Sequence, residues 1–197
     1  MKSSSHDSNW MQDVRSRVQA SARAAEKMDF EALLGVSRVI SKVLTTGGTV
    51  FAAGNGGSGA QAQHLVGELV GRFTAERPGL RAIVLGTDAV TTSAIGNDYG
   101  HHEIFARQLL ALAQAGDVLI AFSTSGASPN LVEASRRARQ AGLSVVSFVG
   151  NPESHLAENS DCFFSVANQP TPIVQEVHLV AIHLLCQIVE RDLGWGG

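Results

Sequence analysis

Charged side chains are scarce in this chain. Lys, Arg, Asp and Glu make up 17% of its 197 residues, the formal balance is −3 at pH 7, and no basic tract stands out. No nucleic-acid partner is therefore expected, because such a partner requires a concentrated positive face. Cysteine is nearly absent. Cys162 and Cys186 each lie in an apolar run without a close-spaced partner, so both read as buried, reduced thiols rather than as a thiolate metal site. No apolar run approaches the roughly 20 residues of a membrane span. The first residues are polar and hold no signal-peptide core, so a cytoplasmic protein with no membrane partner is expected. Apolar side chains, by contrast, are plentiful. Hydrophobic residues reach 44%, as in a globular domain, and the length suits a single domain with a substantial core. With so few charges to cover a surface, oligomer interfaces are expected.

One stretch organises the chain. Val50 to Ala53 form a short apolar run with β-branched character, as a buried strand needs. Gly54-Asn55-Gly56-Gly57-Ser58 follows, and a helix opens at once. The glycines let backbone N–H groups approach a ligand closely, and Ser58 is placed to cap the helix. Free N–H groups and the positive end of the helix dipole favour an anion, most simply a phosphate. The pattern matches neither the dinucleotide G-x-G-x-x-G nor the P-loop, and a tight corner without a ligand is the plain alternative. His64 and Glu68, four residues apart, share one face of the helix.

Residues 1–9 are polar and serine-rich and read as a mobile terminus. Helices are expected from about Trp10 to Lys27 and from Asp29 to Thr45, the second ended by Thr46-Gly47-Gly48. Residues 10–46 thus form an N-terminal helical extension, serving either subunit packing or coverage of the core. Residues 47–197 form an α/β core, and the whole chain is one domain. Strands are expected at Arg81–Leu85, Asp117–Phe122, Ser144–Val149 and Cys162–Val166. Thr87 to Asn97 reads as a loop with a short helix, His101–Gln114 and Asn130–Gln140 as helices, Gly150-Asn151-Pro152 as a turn into a helix reaching about Ser160, and Ile173–Leu193 as a long final helix. Alternation of strand and helix predicts a three-layer, doubly wound α/β sandwich with a five-stranded parallel sheet. The strand order 2-1-3-4-5 places the loops after the first and third strands at the switch point, where ligands bind. The second of these loops, Ser123-Thr124-Ser125-Gly126-Ala127-Ser128-Pro129, offers four hydroxyls where a single cap needs one. It holds no Lys or Arg, so an anion there would rest on hydroxyls, N–H groups and the dipole. His178 and His183 sit among apolar residues of the last helix; a lone histidine there reads as a core residue, but two, with Gln175 and Glu176 near the helix start, are more than a core needs. His101-His102 lies in a polar turn, solvated or accessory to a substrate.

Gly54-Asn-Gly-Gly-Ser58, His64-x-x-x-Glu68, Asn97-Asp98-Tyr99-Gly100, Ser123-Thr-Ser-Gly126-x-Ser128 and Gln175-Glu-x-His178-x-x-x-x-His183 occur together and in order. In that ordered set the chain resembles the sugar isomerase (SIS) domain family, specifically the bacterial sedoheptulose 7-phosphate isomerases. The resemblance covers nearly the whole chain. It implies an aldose–ketose isomerisation of a sugar phosphate, giving D-glycero-D-manno-heptose 7-phosphate. It implies substrate contacts from Asn55, Gly56, Gly57, Glu68, Asn97, Asp98, Ser123, Thr124, Ser125, Ser128 and Gln175, with the serine loop on the phosphate. Glu68 and His183 would be the acid–base pair. His64, Glu68, Gln175 and His183 would surround one zinc ion per subunit, in a homotetramer with active sites at subunit contacts.

The residue types suit that chemistry. One carboxylate can carry a proton between adjacent carbons on one face of an enediol, which fits Glu68, while an imidazole exchanges protons with the two oxygens and assists ring opening, which fits His183. A surface salt bridge is the bland alternative for Glu68, though Leu65, Leu69 and Val70 lie beside it. Gln175 and His183 are eight residues apart, about 12 Å along a helix axis, so both reach one ion only by leaning together or across subunits. Gln61 stands where relatives often carry an acidic or amide residue in an Ala-Asp-Ala-Gln-His run. Asn168 to Val174 holds no acidic group where relatives commonly have Asp. These departures leave open another long-chain sugar phosphate, such as an octose 8-phosphate in antibiotic biosynthesis. A non-catalytic binding protein that associates with the replication initiator is the remaining alternative.

Overall fold

The computed structural model describes residues 3–195, and side chains from residue 10 onward. Helix α1 (Ser3–Glu26) precedes α2 (Phe30–Thr45). The alternating core then runs β1 (Val50–Gly54), α3 (Gly56–Val70), β2 (Ala82–Val84), α4 (Ala89–Tyr99), a 3-10 turn (His101–Glu103), α5 (Ile104–Leu112), β3 (Val118–Ser123), α6 (Pro129–Gln140), β4 (Ser144–Val149), α7 (His155–Glu158), β5 (Cys162–Ser165) and α8 (Thr171–Asp192). The five strands are all parallel in the order β2-β1-β3-β4-β5, as the alternation predicts. Gly54 pairs with Phe122, so the carboxyl ends of β1 and β3 lie side by side at the switch point.

Strands β1, β3, β4 and β5 divide their side chains between two cores. Val50, Ala52, Ile120, Phe122, Phe148 and Phe164 meet α2, α3 and α8 on one face. Phe51, Ala53, Leu119, Ala121 and Val145 meet α5, α6 and α7 on the other. Burial on both faces is why these strands read as continuous apolar runs rather than alternating ones.

Of the two readings of the N-terminal helices, coverage of the core holds for α2. Asp29 caps α2 by accepting from the Ala32 N–H at 2.9 Å, and Leu33, Val36, Ile40 and Val43 are buried under it, so α2 covers the sheet within the subunit. Helix α1 instead leaves Trp10, Met11, Val14 and Val18 exposed, and it meets the core through Ala20, Ala24 and Ala25 and through polar contacts. The Arg17 guanidinium donates to the Glu176 carboxylate at 2.6 Å, and the Ser21 hydroxyl donates to the same group. This helix begins at Ser3, earlier than the expected start near Trp10; Met1 and Lys2 lie outside the described residues.

Several boundaries differ from expectation. The second strand is only Ala82–Val84. Helix α4 runs through Gly96, because Asp88 caps it by accepting from the Thr91 N–H and Gly100, at φ 91°, is what ends it. The His101–Gln114 segment splits into the 3-10 turn and α5. Helix α7 is a single turn begun by the Ser154 cap. Helix α8 has the length and apolarity of a membrane span, but half of its most apolar window is buried in the core.

His178 and His183 part company. His178 is fully buried, edge-on to Phe148 and near Phe122 and Phe164, with Nε2 facing the Val149 carbonyl at 3.3 Å. It is the core histidine, and burial holds it neutral, down to about 4, against the pull of that carbonyl. Cys162 and Cys186 are both free thiols. Burial, reinforced by Glu68 and Glu190, pushes Cys186 up to about 12, so it stays protonated.

The depressed His178 value has a stability consequence. The unfolded chain binds a proton at this residue below about pH 6.5 and the folded chain does so only near pH 4, so stability is lost as pH falls through that window. His178→Phe is expected to remove a contribution on the order of 3 kcal/mol from the difference in unfolding free energy between pH 7.5 and pH 4, measured by urea denaturation. An unchanged difference in the variant would refute this.

Candidate active site

The carboxyl ends of β1 and β3 hold a small cavity of about 110 Å³, lined by Asn55, Ser58, Phe122, Ser123, Thr124, Ser125, Ser128 and Gln175. Two helix N-termini, those of α3 and α6, open at these loops, and their first N–H groups have no intrahelical acceptor. The serine loop folds on its own hydroxyls. Ser123 Oγ accepts from the Gly126 N–H at 3.0 Å and Ser125 Oγ from the Ala127 N–H at 3.2 Å, while Ser123 and Ser128 hydroxyls stand 3.4 Å apart. Ser128 occupies the capping position of α6 without a side-chain capping bond, which leaves its hydroxyl to the cavity. Pro129 begins that helix as expected.

Asn55, not Ser58, is the capping residue of α3; Ser58 lies in the first turn, buried, with its side chain on the cavity wall. Asn55 makes no side-chain capping bond, because its amide is engaged across the sheet. The Asn55 amide donates to Asn130 Oδ1 and the Asn130 amide donates to Asn55 Oδ1, both at 2.9 Å. This reciprocal pair ties the glycine loop to the start of α6, and Asn130 is 1% exposed. Gly56 takes φ 53°, which a residue with a side chain rarely adopts. At Gly57 a Cβ would lie 2.6 Å from Gln175 Nε2, so glycine lets α8 approach the turn. Gln61 donates to the Gln175 main-chain carbonyl at 2.6 Å. The departure at position 61 is thus a link between α3 and α8.

Two turns further along the same two helices stands a second cluster. His64 Nε2 is 2.9 Å from His183 Nε2 and 3.3 Å from Glu68 Oε1, and ligand atoms of all three residues lie within 4.8 Å of one another. Glu68 therefore faces two imidazoles rather than a surface cation. His64 Nε2 and His183 Nε2 face each other directly, so without a cation between them one ring must donate and the other accept. Tetrahedral zinc with ligand distances of about 2.0–2.1 Å would set neighbouring ligand atoms about 3.3 Å apart, close to the spacing found here. Two imidazoles and a carboxylate are also the donor types zinc takes. Gln175 does not join this trio: its side chain packs against Gly57 in the cavity.

The remaining expected contacts are not gathered by this chain. Asn97 donates to the Asp98 carboxylate at 2.8 Å, and both are exposed at the end of α4, outside the cavity lining. His101 and His102 are exposed as well. Asn130, Ser58 and Phe122 escaped the sequence reading. Asn130 follows Pro129 immediately at a helix start, and that adjacency to the serine loop was the available signal.

If Asn130 holds the two anion loops together, Asn130→Ala and Asn55→Ala should each weaken inorganic phosphate binding about tenfold, by calorimetry, and the double variant should be little worse than either single one. Additive losses would show that the two amides act independently.

The SIS domain family model matches residues 13–150. A phosphoheptose isomerase of Burkholderia pseudomallei (strain 1710b) is 44% identical over 180 residues, covering 90% of this chain and 89% of the relative. One from Streptomyces coelicolor is 48% identical over 157 residues, covering 80% of this chain and 68% of the relative. Among solved structures, the phosphoheptose isomerase of Neisseria gonorrhoeae superposes with a TM-score of 0.86 at 34% identity, covering 92% of this chain and 99% of that one. With this fold, these loops and relatives of that closeness, the chain belongs to the SIS domain family and, within it, to the phosphoheptose isomerases.

Proposed function

We propose that this protein interconverts D-sedoheptulose 7-phosphate and D-glycero-D-manno-heptose 7-phosphate. The observation that carries the reading is the pairing of two clusters on two helices. The first turns of α3 and α8 wall the serine-lined cavity, and Glu68 and His183 lie further down the same helices. His64 is six residues past Ser58 and His183 eight past Gln175, about 9 and 12 Å along a helix axis. That separation suits an extended sugar chain with its phosphate in the cavity and its first two carbons at the carboxylate.

In the forward direction the Glu68 carboxylate removes a proton from C1 of the open-chain ketose. The electron pair forms the C1–C2 double bond, and the C2 carbonyl oxygen takes a proton from the imidazole of His183, giving the enediol. The Glu68 carboxyl then returns its proton to C2, and His183 takes the proton from the C1 hydroxyl as the aldehyde forms. The two residues end in their starting protonation states. The His64 imidazole supplies one contact to that ring, with the two Nε2 atoms 2.9 Å apart. At the other end the N-termini of α3 and α6 and the serine hydroxyls hold the phosphate without a cationic side chain.

One zinc per subunit, held by His64, Glu68 and His183, fits the donor chemistry and would polarise the sugar oxygens. A homotetramer fits the exposed apolar residues Trp10, Met11, Val14 and Val18 on α1 and Leu179 and Val180 on α8. Asn97 and Asp98, exposed in one subunit, would complete a neighbour's pocket in such an assembly. A cytoplasmic location follows from the reaction. The missing acidic group in Asn168 to Val174 makes an eight-carbon ketose phosphate the competing substrate. Glu68 and His183 speak against a purely binding role.

Glu68→Gln and His183→Gln should each lower kcat on sedoheptulose 7-phosphate by about 10²–10⁴-fold, with the oligomer unchanged by light scattering. A wild-type chain that turned over only an octulose 8-phosphate would move the substrate assignment; silence on both would favour the binding protein. Separately, elemental analysis should find one zinc per subunit, and dialysis against a chelator should remove it and lower Tm. Metal-free protein of unchanged Tm and full activity would overturn the zinc proposal.

A further inference from the structure

Beyond the acid–base pair, a buried carboxylate organises the surroundings of His183. Glu190 lies seven residues after His183, on the same face of α8, and its side chain is 2% exposed. One carboxylate oxygen accepts from the Phe73 N–H at 3.1 Å and from Arg77 Nε at 2.9 Å. The other accepts from the Thr74 N–H at 3.1 Å, the Ala75 N–H at 3.0 Å and the Thr74 hydroxyl at 2.9 Å. Burial works to raise this carboxyl, but the N–H groups of Ala75, Thr74 and Phe73 and the Thr74 hydroxyl outweigh it and hold it at about 2. Arg77, 1% exposed, uses its other nitrogens on main-chain carbonyls: Nη2 on Glu68 at 2.7 Å, and Nη1 on Leu69 at 2.9 Å and Pro78 at 3.1 Å.

The loop pinned in this way carries one side chain to the site. The Phe73 ring stacks on the His183 imidazole with centroids 5.6 Å apart and planes inclined by 27°. His64 meets the same imidazole with centroids 5.0 Å apart and planes inclined by 52°. His183 is therefore bracketed by two rings, and Phe73 offers it no hydrogen-bonding group.

We infer that Phe73 is a positioning residue for His183, and that the Arg77–Glu190 pair is the clamp that keeps it stacked there. An imidazole on a helix has two rotatable bonds, so a single contact with His64 leaves it free to swing. A flat ring against its face removes that freedom, and proton exchange with sugar oxygens demands a fixed ring. The same clamp holds the carbonyl of Glu68, so one buried ion pair sets the position of both reacting residues. Phe73 sits apart from the serine cavity, and its effect should fall on turnover rather than on phosphate binding.

The inference rests on the proposed isomerase reading for its kinetic arm and on geometry alone for its spectroscopic arm. Phe73→Leu should lower kcat about tenfold or more while KM and the inhibition constant of inorganic phosphate stay within about twofold. Phe73→Tyr, which keeps the ring, should restore most of the loss. In protein labelled with 15N-histidine, the His183 ring resonances, identified by their loss in His183→Gln, should move in Phe73→Leu and stay in Phe73→Tyr, while those of His178 stay in both. If the wild-type chain turns over neither sugar phosphate, the isomerase reading fails and the resonances alone decide the positioning. Unmoved His183 resonances in Phe73→Leu overturn the inference, as does a kcat loss shared equally by Leu and Tyr or a matching rise in the phosphate inhibition constant.

Discussion

The site depends on α3 and α8 lying side by side in fixed register, and the Arg77–Glu190 ion pair is where that register is pinned. Neither side chain is more than 2% exposed, so each charge has left water almost completely. Such a pair recovers its desolvation cost only when every lone pair and N–H finds a partner. Here Glu190 accepts five hydrogen bonds and Arg77 caps the carbonyls at the end of α3. A pair of this kind contributes little net stability compared with an apolar replacement, but the loss of one partner leaves a buried charge, at about 3–5 kcal/mol. Its effect is on specificity of packing: slippage of one helix along the other would leave Glu190 without its N–H donors.

The opposite end of the site is held by neutral groups. The cavity has no cationic side chain in its lining, only amides, hydroxyls and an aromatic wall. An anion there meets two helix N-termini. Their convergence is a consequence of strand order, since β1 and β3 are neighbours whose following helices leave on opposite faces of the sheet. The Asn55–Asn130 amide pair bridges the two loops at that point. A glycine turn and a serine turn, each unremarkable alone, become one pocket because the sheet sets them side by side.

The strands, the glycine and serine turns and the His64–Glu68 pair were legible because each rests on local rules: apolar runs make buried strands, glycine and serine make tight turns at helix starts, and a four-residue spacing shares a helix face. Misjudged boundaries have equally local causes. Helix α4 outran its expectation because the Asp88 cap and Gly100 mattered more than the interior Gly96. Asn55, not Ser58, stands at the capping position of α3, and its amide makes no capping bond because Asn130 engages it.

The order of strands and helices along the chain, the glycine and serine turns and the shared helix face of His64 and Glu68 were determined by the sequence alone, because the information for each lies within a few consecutive residues. Which of His178 and His183 belongs to the core, where Gln175 points, and what holds His183 in place were decided only in three dimensions. Each depends on a residue from a distant segment, Val149 for His178, Gly57 for Gln175, Phe73 for His183. No periodicity or spacing in the chain records a contact between segments so far apart in sequence; packing of α8 against α3 and the sheet creates it.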